Sequence, residues 1–217
     1  MMMSPRLRRL TLTTHLTTSV GWAGAVLAFL ALAVLGLTSD DVVVVRGAYL
    51  LMAPAAWLVL VPLAHASLIS GIVLSLGTTW GLFKHYWVVL KLVLTAFATV
   101  ILLVYMGTFK EMAGIAADPV VDIGAVQNAS PVIHSVFAFM LLMVATVLGV
   151  YKPFGMTVYG HRAYRQRQGT RSDIAVCPDA TATAGSTFPL SYVVGAIILA
   201  LLFALAALHM LGSGFRH

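Results

Sequence analysis

Acidic side chains are scarce: the chain holds seven Asp and Glu in 217 residues, and none falls inside a long apolar run. Carriers driven by protons or cations set a carboxylate within the membrane, so the absence argues against that class of transporter. Cysteine is scarcer still. The single Cys177, in a predicted loop, excludes an internal disulfide and any multi-cysteine metal or iron–sulfur site. Charge of either sign is sparse, at 9% of residues, where soluble domains carry about 25%. There is no Gly-rich phosphate loop, no GxSxG elbow and no HExxH. No soluble-enzyme motif is left, and electron transfer is the most that the chain would do in the way of enzymology.

What fills the chain is apolar, at 60% of residues with a mean hydropathy of +0.98. The solvent is lipid. The stretch from Pro62 to Met106 carries two apolar runs joined by TTWGLFKHYWVVLK. A bilayer core of roughly 30 Å takes about 20 helical residues, and each run supplies them. The turn sets Trp80, Trp87, Tyr86, Lys84 and Lys91 where amphipathic rings and snorkelling lysines meet headgroups.

The other spans hang on this hairpin. The first is expected over Leu16–Leu37, too long for an ordinary signal-peptide core and so an uncleaved signal anchor. Its Thr-rich entrance, TLTTHLTT, can return hydroxyl hydrogen bonds to carbonyls four residues back. The second is expected over roughly Tyr49–Leu76, with Arg46 at the interface and a kink at Pro54 or Pro62. The third covers Tyr86–Met106, and a polar loop follows from Gly107 to Pro131. The fourth covers Val132–Tyr151 and the fifth Leu190–Leu211. The expected fold is an all-α membrane protein: a four-helix transmembrane core over 1–151, a basic, partly disordered cytoplasmic loop over 152–189, and a fifth helix with a short tail over 190–217. No internal repeat stands out.

Basic residues set the orientation. With the N-terminus cytoplasmic, Arg6, Arg8, Arg9, Lys84, Lys91, Lys152, Arg162, Arg165, Arg167 and Arg171 lie inside, ten of the 13 Lys and Arg. Arg46, Lys110 and Arg216 lie outside. That is the positive-inside pattern. A formal charge of +6 is therefore explained by topology, since the cations flank spans and form no stripe for nucleic acid.

Histidines are the chemical lead. His15, His65, His85, His134 and His209 fall one on or beside each span, and neutral imidazole is a common metal ligand. A bis-histidine haem needs two imidazoles from different helices at nearly equal height. At about 1.5 Å per residue, His15 and His85 lie together at the inner edge, with His65 roughly 16 Å and His134 roughly 25 Å from it. His15 with His85 is the first candidate pair, and His65 with His134 the second. His134, Ala138, Ala145 and Gly149 form a small-residue groove, and Ser67, Gly71 and Ser75 a stripe suited to helix packing. Ten methionines raise copper(I), but no Met-x-x-Met cluster supports it.

The opening HLTTSVGWAGAVLAF, with His15, Trp22 and Gly24 as H-x6-W-x-G, resembles membrane proteins related to copper-resistance protein D. With LSLGTTWGLFKHYWVVLKLVLT and YKPFGMTVYGHR, it looks like a group of uncharacterised bacterial integral membrane proteins distantly similar to that superfamily. The likeness covers about Thr14 to Arg162. It implies a four-helix core, copper or haem association, and a bacterial plasma membrane; the sparse methionines depart from a dedicated copper importer.

Three readings stand side by side. In the first, histidines between helices hold b-type haem for electron transfer or redox sensing. In the second, the protein is an accessory or structural subunit, with the Lys152–Arg171 loop meeting a cytoplasmic partner or anionic lipid. In the third, the histidines handle copper.

Overall fold

The computed structural model describes residues 3–78, 81–152, 155–157 and 159–162. The expected fifth span with His209, the loop beyond Arg162, and Cys177 lie outside the described residues.

Ser4 starts α1 (Pro5–Thr38) by accepting the amide of Leu7 at 3.4 Å, and Pro5 occupies the first turn, where a missing N–H costs nothing. The helix therefore begins well before the expected Leu16. Its threonines allow this: Thr11, Thr13 and Thr18 donate to Leu7 O, Arg9 O and Thr14 O at 2.9, 3.0 and 2.8 Å, so these three hydroxyls are satisfied within the helix. Ser39 ends α1, and Asp41 starts α2 (Val42–Ala55) by accepting from Val43 N at 2.8 Å.

The second span is one rod in three parts: α2, a π-helical turn (Ala56–Leu60) and α3 (Val61–Gly77). Pro54 and Pro62 flank the wide turn. Each lacks an N–H and crowds the carbonyl four residues back. A π turn absorbs that mismatch without ending the helix, and this is the form taken by the irregularity expected at the two prolines.

After the turn, α4 (Tyr86–Ala117) runs through Gly107, where the sequence suggested a loop. Phe109, Met112 and Ala116 are buried on one face of this extension, at helical spacing, and Phe109 packs on Phe29 of α1 with ring centroids 4.8 Å apart. A short 3-10 turn precedes α5 (Ser130–Tyr151).

These helices make an all-helical bundle with four segments long and apolar enough to cross a membrane: Pro5–Thr38, Val42–Gly77, Tyr86–Ala117 and Ile123–Tyr151. Among the described residues no strand forms; His85 and Met156 make an isolated bridge. α1 packs against α2, α3 and α5, and α4 packs against the same three, so α1 and α4 occupy one diagonal of the bundle. Lipid tails are as apolar as leucine, so close packing holds such a core together. Gly36 shows how close: a Cβ there would stand 3.0 Å from Cε2 of the fully buried Tyr49.

The two ends differ in charge. Asp40, Asp41, Glu111, Asp118 and Asp122 all belong to one end. There the Arg46 guanidinium donates to the carbonyls of Ala116, Asp118 and Val121, capping α4 where its last carbonyls lack partners. Tyr49 Oη accepts the amide of Asn128 at 3.1 Å, and Gln127 Nε2 donates to Ser39 O at 3.1 Å. The opposite end carries Arg6, Arg8, Arg9, Lys84, Lys152 and Arg162. It is the basic end.

Candidate ligand site

His15 sits ten residues into α1, about 15 Å from its start. Its ring lies against α3, with Nδ1 3.1 Å from both Ser67 O and Ser70 Oγ. A carbonyl only accepts, so Nδ1 carries the ring proton. Ser70 sends its own hydrogen to Ala66 O at 2.6 Å and is left to accept from the imidazole. The other nitrogen, Nε2, then presents a lone pair, and it faces Lys91 Nζ at 3.4 Å. Glycine makes room for the ring: a Cβ on Gly71 would stand 3.0 Å from His15 Cε1. The small-residue stripe of α3 thus seats an imidazole as well as a helix.

Lys91 lies six residues beyond His85, about 9 Å along the helix axis. Its ammonium points into the bundle, where a Cβ on Gly149 of α5 would approach Nζ to 3.2 Å. The lysine expected to snorkel outward turns inward. Around it α1, α3, α4 and α5 border a half-open cavity of about 470 Å³, lined by Arg8, His15, Lys91 and Lys152 among apolar and hydroxyl side chains. Among the described residues that line it, none is acidic. Its hydroxyls are mostly turned to their own helices: Ser75, Thr95 and Thr146 donate to Gly71 O, Lys91 O and Leu142 O at 2.8, 2.7 and 2.8 Å. Positive charge, more than hydroxyl donors, characterises the space.

The remaining histidines stand elsewhere. His85 stands at the N-cap position of α4, its side chain making no cap hydrogen bond, and its backbone bridges to Met156, with its ring centroid 6.4 Å from that of Trp87. His65 donates from Nδ1 to Val61 O at 2.8 Å. Half-buried His65 lies on the stripe of α3 that carries the exposed Ile69 and Leu76. His134 lies in the other half of the bundle, stacked on Tyr105 with centroids 4.2 Å apart, its Nδ1 2.8 Å from Ser130 O. It lines a small apolar void of about 50 Å³.

The structure therefore does not bring the candidate pairs together as iron ligands. His15 has both ring nitrogens engaged, with Lys91 on the side an iron would need. His65 is about 18 Å and His134 about 26 Å from the basic end, on α3 and α5, which occupy the other diagonal. Among the described residues no three His, Cys, Asp or Glu cluster as a metal site.

Sequence reasoning named His15 but missed Lys91, Arg8 and Lys152 as its companions. One signal was present: Lys91 interrupts WVVLKLVLT, with apolar residues on both sides, which is costly unless a partner is at hand. Fold and site together define a helical membrane bundle with a basic cavity near one face. Comparison with family models, with curated proteins and with solved structures finds no match to this chain.

Proposed function

We propose that this chain is a five-span protein of the bacterial plasma membrane, with its N-terminus in the cytoplasm, that works by holding a ligand in the cavity around His15 and Lys91. The observation that carries this reading is the Lys91 ammonium, hydrogen-bonded to a neutral imidazole in a cavity of about 470 Å³ with no carboxylate on its described walls. Seven of the nine described Lys and Arg, all but Arg46 and Lys110, lie at or toward the basic end, which supports the orientation. His15 of the H-x6-W-x-G motif enters the site, and Trp22, only 2% exposed, anchors the same helix in the core.

Native mass spectrometry of the full chain, purified in mild detergent, tests the binding. Wild type should retain an added mass that Gly71→Leu, which drives a side chain into the His15 ring, does not. An unliganded wild type would contradict the reading. So would a b-type haem band in the reduced-minus-oxidised spectrum that disappears in His15→Ala, since it would restore the electron-transfer alternative.

A further inference from the structure

We infer that the ligand of this cavity is an anionic phospholipid of the membrane leaflet at the basic end, its phosphate held by Lys91, Arg8 and Lys152. The inference rests on the cavity being a ligand site and names the class of ligand. Its first ground is charge. An ammonium drawn about two turns into an apolar helix needs an anion or a strong acceptor beside it. His15 Nε2 supplies one neutral acceptor at 3.4 Å, which takes a hydrogen bond and leaves the charge uncompensated. Arg8 at the first turn of α1 and Lys152 just beyond α5 add positive potential at the mouth. The described acids all stand at the far end of the bundle.

The second ground is the shape of the opening. Leu12, Leu16 and Val20 line the cavity and are 50%, 62% and 60% exposed, and Val150 across from them on α5 is 70% exposed. The three α1 residues recur every fourth position and form one stripe. The space is thus bordered by exposed apolar side chains of α1 and α5, the kind of surface that suits hydrocarbon. A free phosphate or a soluble carboxylate would have no use for such a rim. An amphiphile uses both parts: its phosphate meets the cations, and its acyl chain lies along the leucine stripe. Basic pockets between transmembrane helices on the cytoplasmic side are a recognised lodging for anionic headgroups.

The test uses the full chain in a neutral detergent, titrated separately with phosphatidylglycerol, phosphatidylcholine and inorganic phosphate, with thermal unfolding followed by tryptophan fluorescence. Phosphatidylglycerol should raise the unfolding midpoint saturably, and the other two should not. Lys91→Gln should weaken the apparent affinity about tenfold, in line with loss of a charge-assisted contact, while Lys84→Gln in the neighbouring turn leaves it unchanged. Lys91→Arg, which keeps the charge, should retain the preference and guards against a folding defect in the glutamine variant. Leu16→Glu should abolish the response by setting a negative charge on the rim. Equal stabilisation by inorganic phosphate, or by phosphatidylcholine, would overturn the assignment, as would equal losses in the Lys84 and Lys91 variants. A neutral mass retained in native spectra without any phosphatidylglycerol response would leave the binding reading standing and sink only the lipid. A chain that retains nothing would sink both.

Discussion

Placing alanine at three glycines of this bundle should give three different results, because the neighbours differ. At Gly71 the new Cβ stands 3.0 Å from His15 Cε1 and 3.4 Å from its Nδ1, so the ring must leave the groove of α3. Overpacking of this kind costs about 1–3 kcal/mol. The shift also breaks the hydrogen bond that the single Nδ1–H shares between Ser67 O and Ser70 Oγ, worth about 1 kcal/mol. Against this stands a helix-propensity gain of about 1 kcal/mol for replacing glycine. The net expectation is a loss of about 1–3 kcal/mol, together with loss of ligand. At Gly149 the added carbon meets only the tip of Lys91 at 3.2 Å, and a flexible lysine retreats, so stability should hardly change. At Gly24 nothing lies within 4 Å, and the propensity gain should appear as stabilisation of up to about 1 kcal/mol. Unfolding by sodium dodecyl sulfate in mixed micelles measures all three on one scale. A Gly71→Ala protein as stable as wild type, or a Gly24→Ala protein less stable than Gly71→Ala, would refute the packing of His15 on α3.

Arg46→Ala should cost about 2–3 kcal/mol in the same assay, less than three charge-assisted hydrogen bonds at full value because water can reach these partly exposed carbonyls; Arg46→Lys, which cannot span Ala116, Asp118 and Val121 at once, should recover only part of it. Tyr105→Phe removes the hydroxyl contact with Ser130 and should cost about 1 kcal/mol while leaving ligand retention at the basic end untouched. As the chain has one cysteine, Cys177 reports topology directly. In intact spheroplasts a membrane-impermeant maleimide should leave it unlabelled and should label it after lysis, and labelling of intact cells would reverse the proposed orientation.

The first four spans and their hairpin were legible because hydropathy and length depend on local composition. Their ends were not. TLTTHLTT looks like a polar lead-in, yet Thr11, Thr13 and Thr18 close onto carbonyls of their own helix, and α1 begins at Pro5. GTFKEMAGIAA looks like a loop, yet Phe109, Met112 and Ala116 repeat at core spacing and carry α4 to Ala117. The site was half legible. His15 drew notice as an ionisable group near the membrane, whereas Lys91 has the same local pattern whether it snorkels outward or turns in. What decides is tertiary: His15, 76 residues earlier in the chain, and the bare backbone of Gly149 across the cavity. Pairing histidines by height also relied on helix starts, and moving the start of α1 to Pro5 places His15 deeper than His85 at the N-cap position of α4.

An experimental structure of the full chain in a bilayer nanodisc made with phosphatidylglycerol tests the central claim most directly, through what stands beside Lys91 Nζ. An anion held in the cavity predicts phosphate density within hydrogen-bond reach of that ammonium, continuous with an acyl chain along Leu12, Leu16 and Val20. Water alone there, or a carboxylate of the chain itself such as Asp173 or Asp179, would contradict it.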